Sequence, residues 1–216
     1  MRQVIIAVVA LVLSSVQVFA QAAPAAGQRS TAPRGRATTA APAVPGPAGA
    51  PRSEGAGPVI VFETVKGAFE IETYPTEAPK TVEHILALVR RNFYNGQRVH
   101  RVVPGFVIQF GDPQTRDMTK REQWGRGFAA GSGKAIGVAE FSKTRTHKLG
   151  AVAMAHAGDA KAADSQMYIA LAPTPRLDGS YTVWGQVISG LDVVQKIAVP
   201  DVIRRATVRV EGRGAR

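Results

Sequence analysis

The 216-residue chain carries 27 Lys and Arg against 16 Asp and Glu, for a formal charge of +11, and contains no cysteine. That length suffices for one substantial domain with a continuous core. The missing thiol excludes disulfides, cysteine nucleophiles and lipid anchoring through an N-terminal cysteine.

The chain opens with Arg2, an apolar run from Val4 to Leu13 and the small-residue approach Val18-Phe19-Ala20. This is the layout of a secretory signal peptide over residues 1–20, with cleavage after Ala20 or Ala22. A retained membrane anchor is the alternative, but the run falls short of the roughly 20 apolar residues that a span requires. Over residues 21–58, 25 of 38 positions are Ala, Pro or Gly. Such a segment buries too little apolar surface to offset its ordering entropy, so residues 21–57 read as a flexible to semi-extended tether. A Pro-rich recognition ligand is the other reading, without a persuasively anchored Pro-x-x-Pro. The folded domain is expected over residues 58–212, with a tail at 213–216.

Val59 to Thr64 and Ala68 to Thr73 read as a hairpin joined at Val65-Lys66-Gly67, with Phe69, Ile71 and Thr73 alternating against Glu70 and Glu72. Pro79 suits a first helical turn, and Val82, Ile85, Leu86 and Val89 recur at helical spacing until Asn95-Gly96. Further strands are expected at Val102 to Phe110, Ala151 to Ala155, Gln166 to Ala170, Thr182 to Val187 and Thr207 to Val210, with a short helix from Leu191 to Ile197. Within the first of these strands, Pro104-Gly105 removes a ladder donor and permits unusual backbone angles. A kink or bulge there aims Arg101, Phe106 and Gln109 at one cavity; an ordinary edge strand with a solvated arginine is the duller reading. Many strands and two helices imply a closed or sandwich-like β architecture.

The run His100-Arg-Val-Val-Pro-Gly-Phe-Val-Ile-Gln109, ending in Gly111-Asp112, resembles the signature of the cyclophilins, with Val99 in place of a leading phenylalanine. Gly150 to Gly158 (containing Met154-Ala155-His156), Asp164-Ser165-Gln166-Met167-Tyr168-Ile169, and Leu177-Asp178-Gly179 followed by Val183-Trp184-Gly185 are similar to three further family blocks, in the same order. The resemblance implies an eight-stranded closed antiparallel β-barrel capped by two helices, and peptidyl-prolyl cis/trans isomerase activity without cofactor or metal. It also implies that Arg101 and Gln109 carry catalysis. Phe106, Val107, Ala155, His156, Gln166, Tyr168, Leu177 and Tyr181 would bind substrate, the backbone of His156 contributing rather than its ring. Such chemistry needs no nucleophile: a donor such as the arginine fork stabilises the twisted amide, whose nitrogen has lost its conjugation.

Several positions depart from the family. Val107 replaces a larger methionine; Tyr168 replaces a phenylalanine and brings a hydroxyl that needs a partner. Arg176 stands where many members carry a tryptophan used in cyclosporin binding, and Tyr181 where many carry histidine. The loop from Gln114 to Gly127 is longer and more basic than usual. His84, His100, His147 and His156 show no metal-ligand spacing, and the glycines at 125, 127, 131 and 133 complete no phosphate-binding pattern.

Residues 1–57 hold five arginines and one glutamate, leaving 22 basic and 15 acidic residues for the domain. The basic residues are scattered, so the expected partners are proline-containing unfolded or exported polypeptides, with weak attraction to anionic envelope surfaces and no nucleic acid. A monomer in the periplasm or secreted space is expected. The competing class is a cyclophilin-like module that binds proline segments as a chaperone or scaffold without turning them over.

Overall fold

The computed structural model describes residues 52–126 and 131–209. The signal-peptide reading, the tether up to residue 51 and the tail lie outside the described residues. Eight strands follow in order: β1 (Val59–Thr64), β2 (Gly67–Thr73), β3 (Arg101–Val103), β4 (Val107–Phe110), β5 (Ala151–Met154), β6 (Met167–Ala170), β7 (Val183–Ser189) and β8 (Ile203–Arg209). Helix α1 (Pro79–Arg90) lies between β2 and β3, and α2 (Leu191–Lys196) between β7 and β8. Four short 3-10 turns accompany them, at Pro113–Arg116, Met118–Gln123, Ala160–Ala162 and Pro175–Leu177. No apolar periodicity announces these turns.

All strand pairs are antiparallel, and the sheet order is β3-β4-β6-β5-β7-β2-β1-β8. The sheet is a curled half-barrel, which corrects the expected closed one: β3 and β8 form no ladder with each other. The margins meet instead through the segment just before β3: an isolated bridge joins Arg98 and Val202, Val99 N donates to Asp201 O at 2.9 Å, and Gly96 N to Ile203 O and Ile203 N to Gln97 O, both at 2.8 Å.

Alternation along the strands creates two cores. Ile60 and Phe62 of β1, Ile108 and Phe110 of β4, Val152 and Met154 of β5, and Met167 and Ile169 of β6 point to the concave interior with Trp184. Phe62 sits at its centre, stacked on Phe69 at 5.3 Å and meeting Tyr94 and Phe110 edge-on. The opposite faces of β4, β5 and β6 are buried as well: Val107, Ala151, Ala153, Tyr168 and Ala170 form a second cluster with Tyr74, Ala155 and Val183. Phe106, Leu177 and Tyr181 pack on that second cluster and form its half-buried margin.

The helix α1 buries Val82, Ile85, Leu86, Leu88 and Val89. Its cap residue Ala78 supplies no side chain, so the carboxylate of Glu140 accepts from Lys80 N and Thr81 N, both at 2.9 Å, at the positive end of the helix. It ends at Arg90, before the expected Asn95-Gly96, because Asn92 enters the left-handed region (φ 58°). The Asn92 and Phe93 amides then bond back to Val89 O and Leu88 O, the Schellman pattern.

Two further differences concern backbone exposure. Glu72, read as a solvent-facing partner in β2, is 1% exposed; Ser53 covers it, donating from its backbone N at 3.0 Å and from its hydroxyl, while Tyr74 OH donates at 3.2 Å. Residues 52–57, the end of the tether reading, thus lie against the domain, with Gly57 N bonded to Thr73 O at 2.7 Å. In addition, the run from residue 102 to 110 is not one kinked strand. Val103-Pro104-Gly105-Phe106 reverses the chain, with Gly105 at φ 68° and Phe106 N donating to Val103 O at 3.0 Å. Proline second and a positive-φ glycine third suit a type II turn, and the result is a hairpin.

Candidate active site

The hairpin does what the expected kink was invoked to do, by another route. Its register sets Arg101 directly opposite Gln109, and the next ladder sets Gln109 opposite Tyr168. Side chains opposite one another share a face. Arg101, Gln109 and Tyr168 therefore stand in a row across three strands. Phe106 follows from the turn, Leu177 from the 3-10 turn at Pro175–Leu177, and Ala155, His156 and Tyr181 from the loops after β5 and before β7. With Val107 these residues enclose an open hollow of about 240 Å³.

Nine of the ten residues singled out from the sequence line this hollow. Gln166, the tenth, is 2% exposed and stands behind Gln109. Arg101 Nη1 donates to Gln109 Oε1 at 3.2 Å, and Gln109 Nε2 donates to Gln166 Oε1 at 3.1 Å. The arginine thereby fixes which way both amides face, and Gln166 Nε2 is left buried without an acceptor among the described residues. The Phe106 ring lies under two guanidinium carbons, 5.8 Å from that of Arg101 and 4.7 Å from that of Arg176.

The partner that the Tyr168 hydroxyl requires is His147, a residue between strands that no spacing in the sequence marks. His147 is 1% exposed; its Nε2 lies 2.8 Å from Tyr168 OH and its Nδ1 lies 2.6 Å from Asp178 Oδ1. Asp178 Oδ1 also accepts from His147 N at 2.8 Å. The carboxylate thus keeps the proton on Nδ1, and Nε2 accepts from the tyrosine. Desolvation pushes the Asp178 carboxyl up, but the bonds from His147 outweigh it and hold the pKa below its ordinary value. Burial, then the neighbouring Tyr181 and Asp178, push the Tyr168 phenol well above its ordinary range, so it serves as a neutral donor. The clue in the sequence was the unpaired hydroxyl itself, next to an aspartate in Leu177-Asp178-Gly179. Replacing Tyr168 by Phe is expected to cost about 1–3 kcal/mol, read from the urea midpoint, because it leaves a buried imidazole nitrogen without a donor.

His156 takes part through its ring as well. Its Nε2 donates to Ser180 O at 2.9 Å and the ring stacks on Tyr181 with centroids 4.3 Å apart. This contact fixes the wall that Tyr181 provides.

The long basic loop after β4 folds into the two 3-10 turns Pro113–Arg116 and Met118–Gln123, capped by Asp112 and Asp117. The carboxylate of Asp112 accepts from Gln114 N and from Gly125 N, both at 2.8 Å. That second bond draws Trp124, Gly125 and Arg126 beside His100, Arg101 and Gln109, where they form an adjoining hollow. His100, under this loop, has both ring nitrogens buried without partners among the described residues. Burial lowers its pKa to about 4, against a smaller opposing pull from Asp112. The folded protein therefore holds His100 neutral where the unfolded chain, titrating near 6.5, already binds a proton. Stability is expected to be undiminished by this group above about pH 6.5 and to fall by roughly 3 kcal/mol as the pH drops toward 4. Urea unfolding of the wild type and a His100→Leu variant, at pH 7 and pH 4.5, checks this: the wild type has the steeper dependence.

A family profile, cyclophilin type peptidyl-prolyl cis-trans isomerase/CLD, matches residues 59–212. A probable peptidyl-prolyl cis-trans isomerase of Brucella abortus is 38% identical over 163 residues, covering 70% of this chain and 83% of its own. The peptidylprolyl isomerase domain and WD repeat-containing protein 1 of Mus musculus is 37% identical over 139 residues; the match takes in 64% of this chain but 20% of that protein, so the chain spans about a fifth of its length. Among solved structures, a cyclophilin type peptidyl-prolyl cis-trans isomerase of Cryptosporidium parvum, crystallised in the presence of the dipeptide Ala-Pro, superposes with a TM-score of 0.57 at 21% identity, over 71% of this chain and 99% of its own.

Proposed function

The chain belongs to the cyclophilin-type peptidyl-prolyl cis-trans isomerases, and we propose that it interconverts X-Pro bonds in exported polypeptides as they fold. The observation that carries the activity is the row of Arg101, Gln109 and Tyr168 over an apolar hollow. In this reading Phe106, Val107, Leu177 and Tyr168 hold the proline ring. Gln109, with Gln166 behind it and Ala155 and His156 beside it, holds one side of the peptide still. The planar amide resists rotation by about 18–20 kcal/mol. As it twists, the proline nitrogen loses conjugation and gains a lone pair, toward which Arg101 directs a charged N–H. Only the twisted form benefits, so the barrier falls rather than the ground state. No bond is made or broken and no group is transferred.

Export rests on the amino terminus, where Arg2 and the apolar run from Val4 to Leu13 fit a signal peptide and the Ala/Pro/Gly-rich segment fits a spacer. Among the described residues no helix is long and apolar enough to cross a membrane. We place the protein in the periplasm or outside the cell, acting as a monomer. Exchange NMR on a short X-Pro peptide with the purified protein tests the activity: catalytic amounts must speed cis/trans interconversion. Binding without acceleration would instead make the domain a proline-recognition module. Export is tested separately, by fractionation and by the N-terminal sequence of the mature protein.

A further inference from the structure

The hollow that would take proline and the one beside it share Arg101 and Gln109. They lie side by side, flanking the shared Arg101 and Gln109, so that a peptide laid across both would follow one groove. Among the described residues neither hollow has a carboxylate in its lining, whereas each has an arginine. Arg101 lies between them and Arg126 in the second. Arg176 reaches the first through Phe106, which lines it, its guanidinium 4.7 Å from that ring's centroid. Among the described residues none of these three arginines has an acidic partner. Arg145, Arg205 and Arg209, by contrast, are paired with Glu77, Glu63 and Glu70.

The nearby acids are occupied or turned elsewhere. Asp112 is fully buried and spends its oxygens on the amides of Gln114 and Gly125. Asp178 holds His147. Glu122 is exposed on the 3-10 turn and lines neither hollow. An extended peptide seated through the groove would meet a guanidinium next to its proline and another beyond Arg101. A carboxylate there gains a planar, bidentate partner, and a lysine meets like charge.

We propose that the protein selects proline segments bearing an acidic side chain beside the proline, with Arg176 and Arg126 as its specificity-determining residues. This rests on the isomerase reading above, because it takes the groove to be where the peptide lies. Packing on Phe106 is what gives Arg176 its role: the ring orients a long side chain that would otherwise sample many rotamers. Arg126 is oriented more loosely, through the bond from Gly125 N to Asp112.

The test uses the full chain and pentapeptides with a central Ala-Pro, in which each flanking position in turn carries Gln, Glu or Lys. Both kcat/KM by exchange NMR and Kd by chemical-shift titration are measured at low and high salt. Glu is expected to exceed Lys by at least about fivefold at one or more positions, with the ratio shrinking as salt screens the pair. Arg176→Glu and Arg126→Glu should each lower or invert the ratio at the position that residue serves. Equal values for Glu and Lys at every position, with the Gln peptide turned over normally, would overturn the selectivity and leave the isomerase standing. Should no peptide be turned over, the isomerase reading fails, and the Kd ratios alone decide the preference. Absence of binding by all peptides would overturn both.

Discussion

Replacing Arg101 by alanine is expected to lower kcat/KM for X-Pro interconversion by about 10²–10³-fold, the range found when a single transition-state donor is removed. The side chain is exposed and, among the described residues, hydrogen-bonds only to Gln109, so thermal stability should move little. Arg101→Lys separates charge from geometry. Lysine retains the cation but not the rigid fork that reaches the amide nitrogen and turns Gln109 at the same time. A loss nearly as large as for alanine therefore points to the fork; substantial retention of rate by Arg101→Ala would remove the arginine from the mechanism. Both variants are read by exchange NMR on the same peptide, with melting temperature as the control.

The second large effect concerns stability and has its origin beneath the site. Gly111 follows β4 at φ 110°, and a Cβ there would stand 2.2 Å from Ser165 O and 2.8 Å from Gln166 Cα. These are backbone atoms that no rotamer change can withdraw. The same carbonyl of Ser165 accepts from the buried Tyr94 OH at 3.1 Å, and Ser165 Oγ donates back to Gly111 O at 2.8 Å. Gly111→Ala must therefore part β4 from the segment leading into β6 and strain a left-handed backbone at once. A cost of about 3 kcal/mol or more is expected, lowering the melting temperature by roughly 6 °C or more. Because Gln166 moves with Ser165, the hold on Gln109 should loosen too, and the folded fraction should be less active per molecule. A variant with wild-type melting would show that the two segments are not pinned as described.

Much of this was legible in the residues. The hairpin of β1 and β2 follows from strict alternation around Phe69 and Ile71, and α1 from the spacing of Val82, Ile85, Leu86 and Val89; local periodicity determines such elements directly. Pro104-Gly105 was identified as the point where the backbone must deviate, but not how far. Apolar residues continue on both sides of it, and alternation alone does not distinguish a kinked strand from a reversed one. The resemblance to a known signature compensated, since it fixed which side chains converge without requiring the path. His147 escaped because its role depends on two residues from distant elements, Tyr168 and Asp178, and no spacing along the chain encodes such a meeting. The burial of Glu72 is hidden for the same reason: its cover, Ser53, comes from a stretch whose composition signals no structure. The loop carrying Trp124 and Arg126 is longer and more basic than the family's usual segment, so its return to the groove through Asp112 and Gly125 is visible only in three dimensions.

The placement of Arg101 on β3 has a last consequence. That strand has three residues, lies at the margin of the sheet and is paired on one side only, whereas Val107, Tyr168 and Ala155 belong to the buried second core. The groove is therefore energetically lopsided: its floor can open only when the domain unfolds, while the donor's own strand can detach by local fraying at a fraction of that free energy. Amide protons of β3 should exchange with solvent faster than those of β6, and the reactive arginine can adjust to a rotating peptide against a floor that stays rigid.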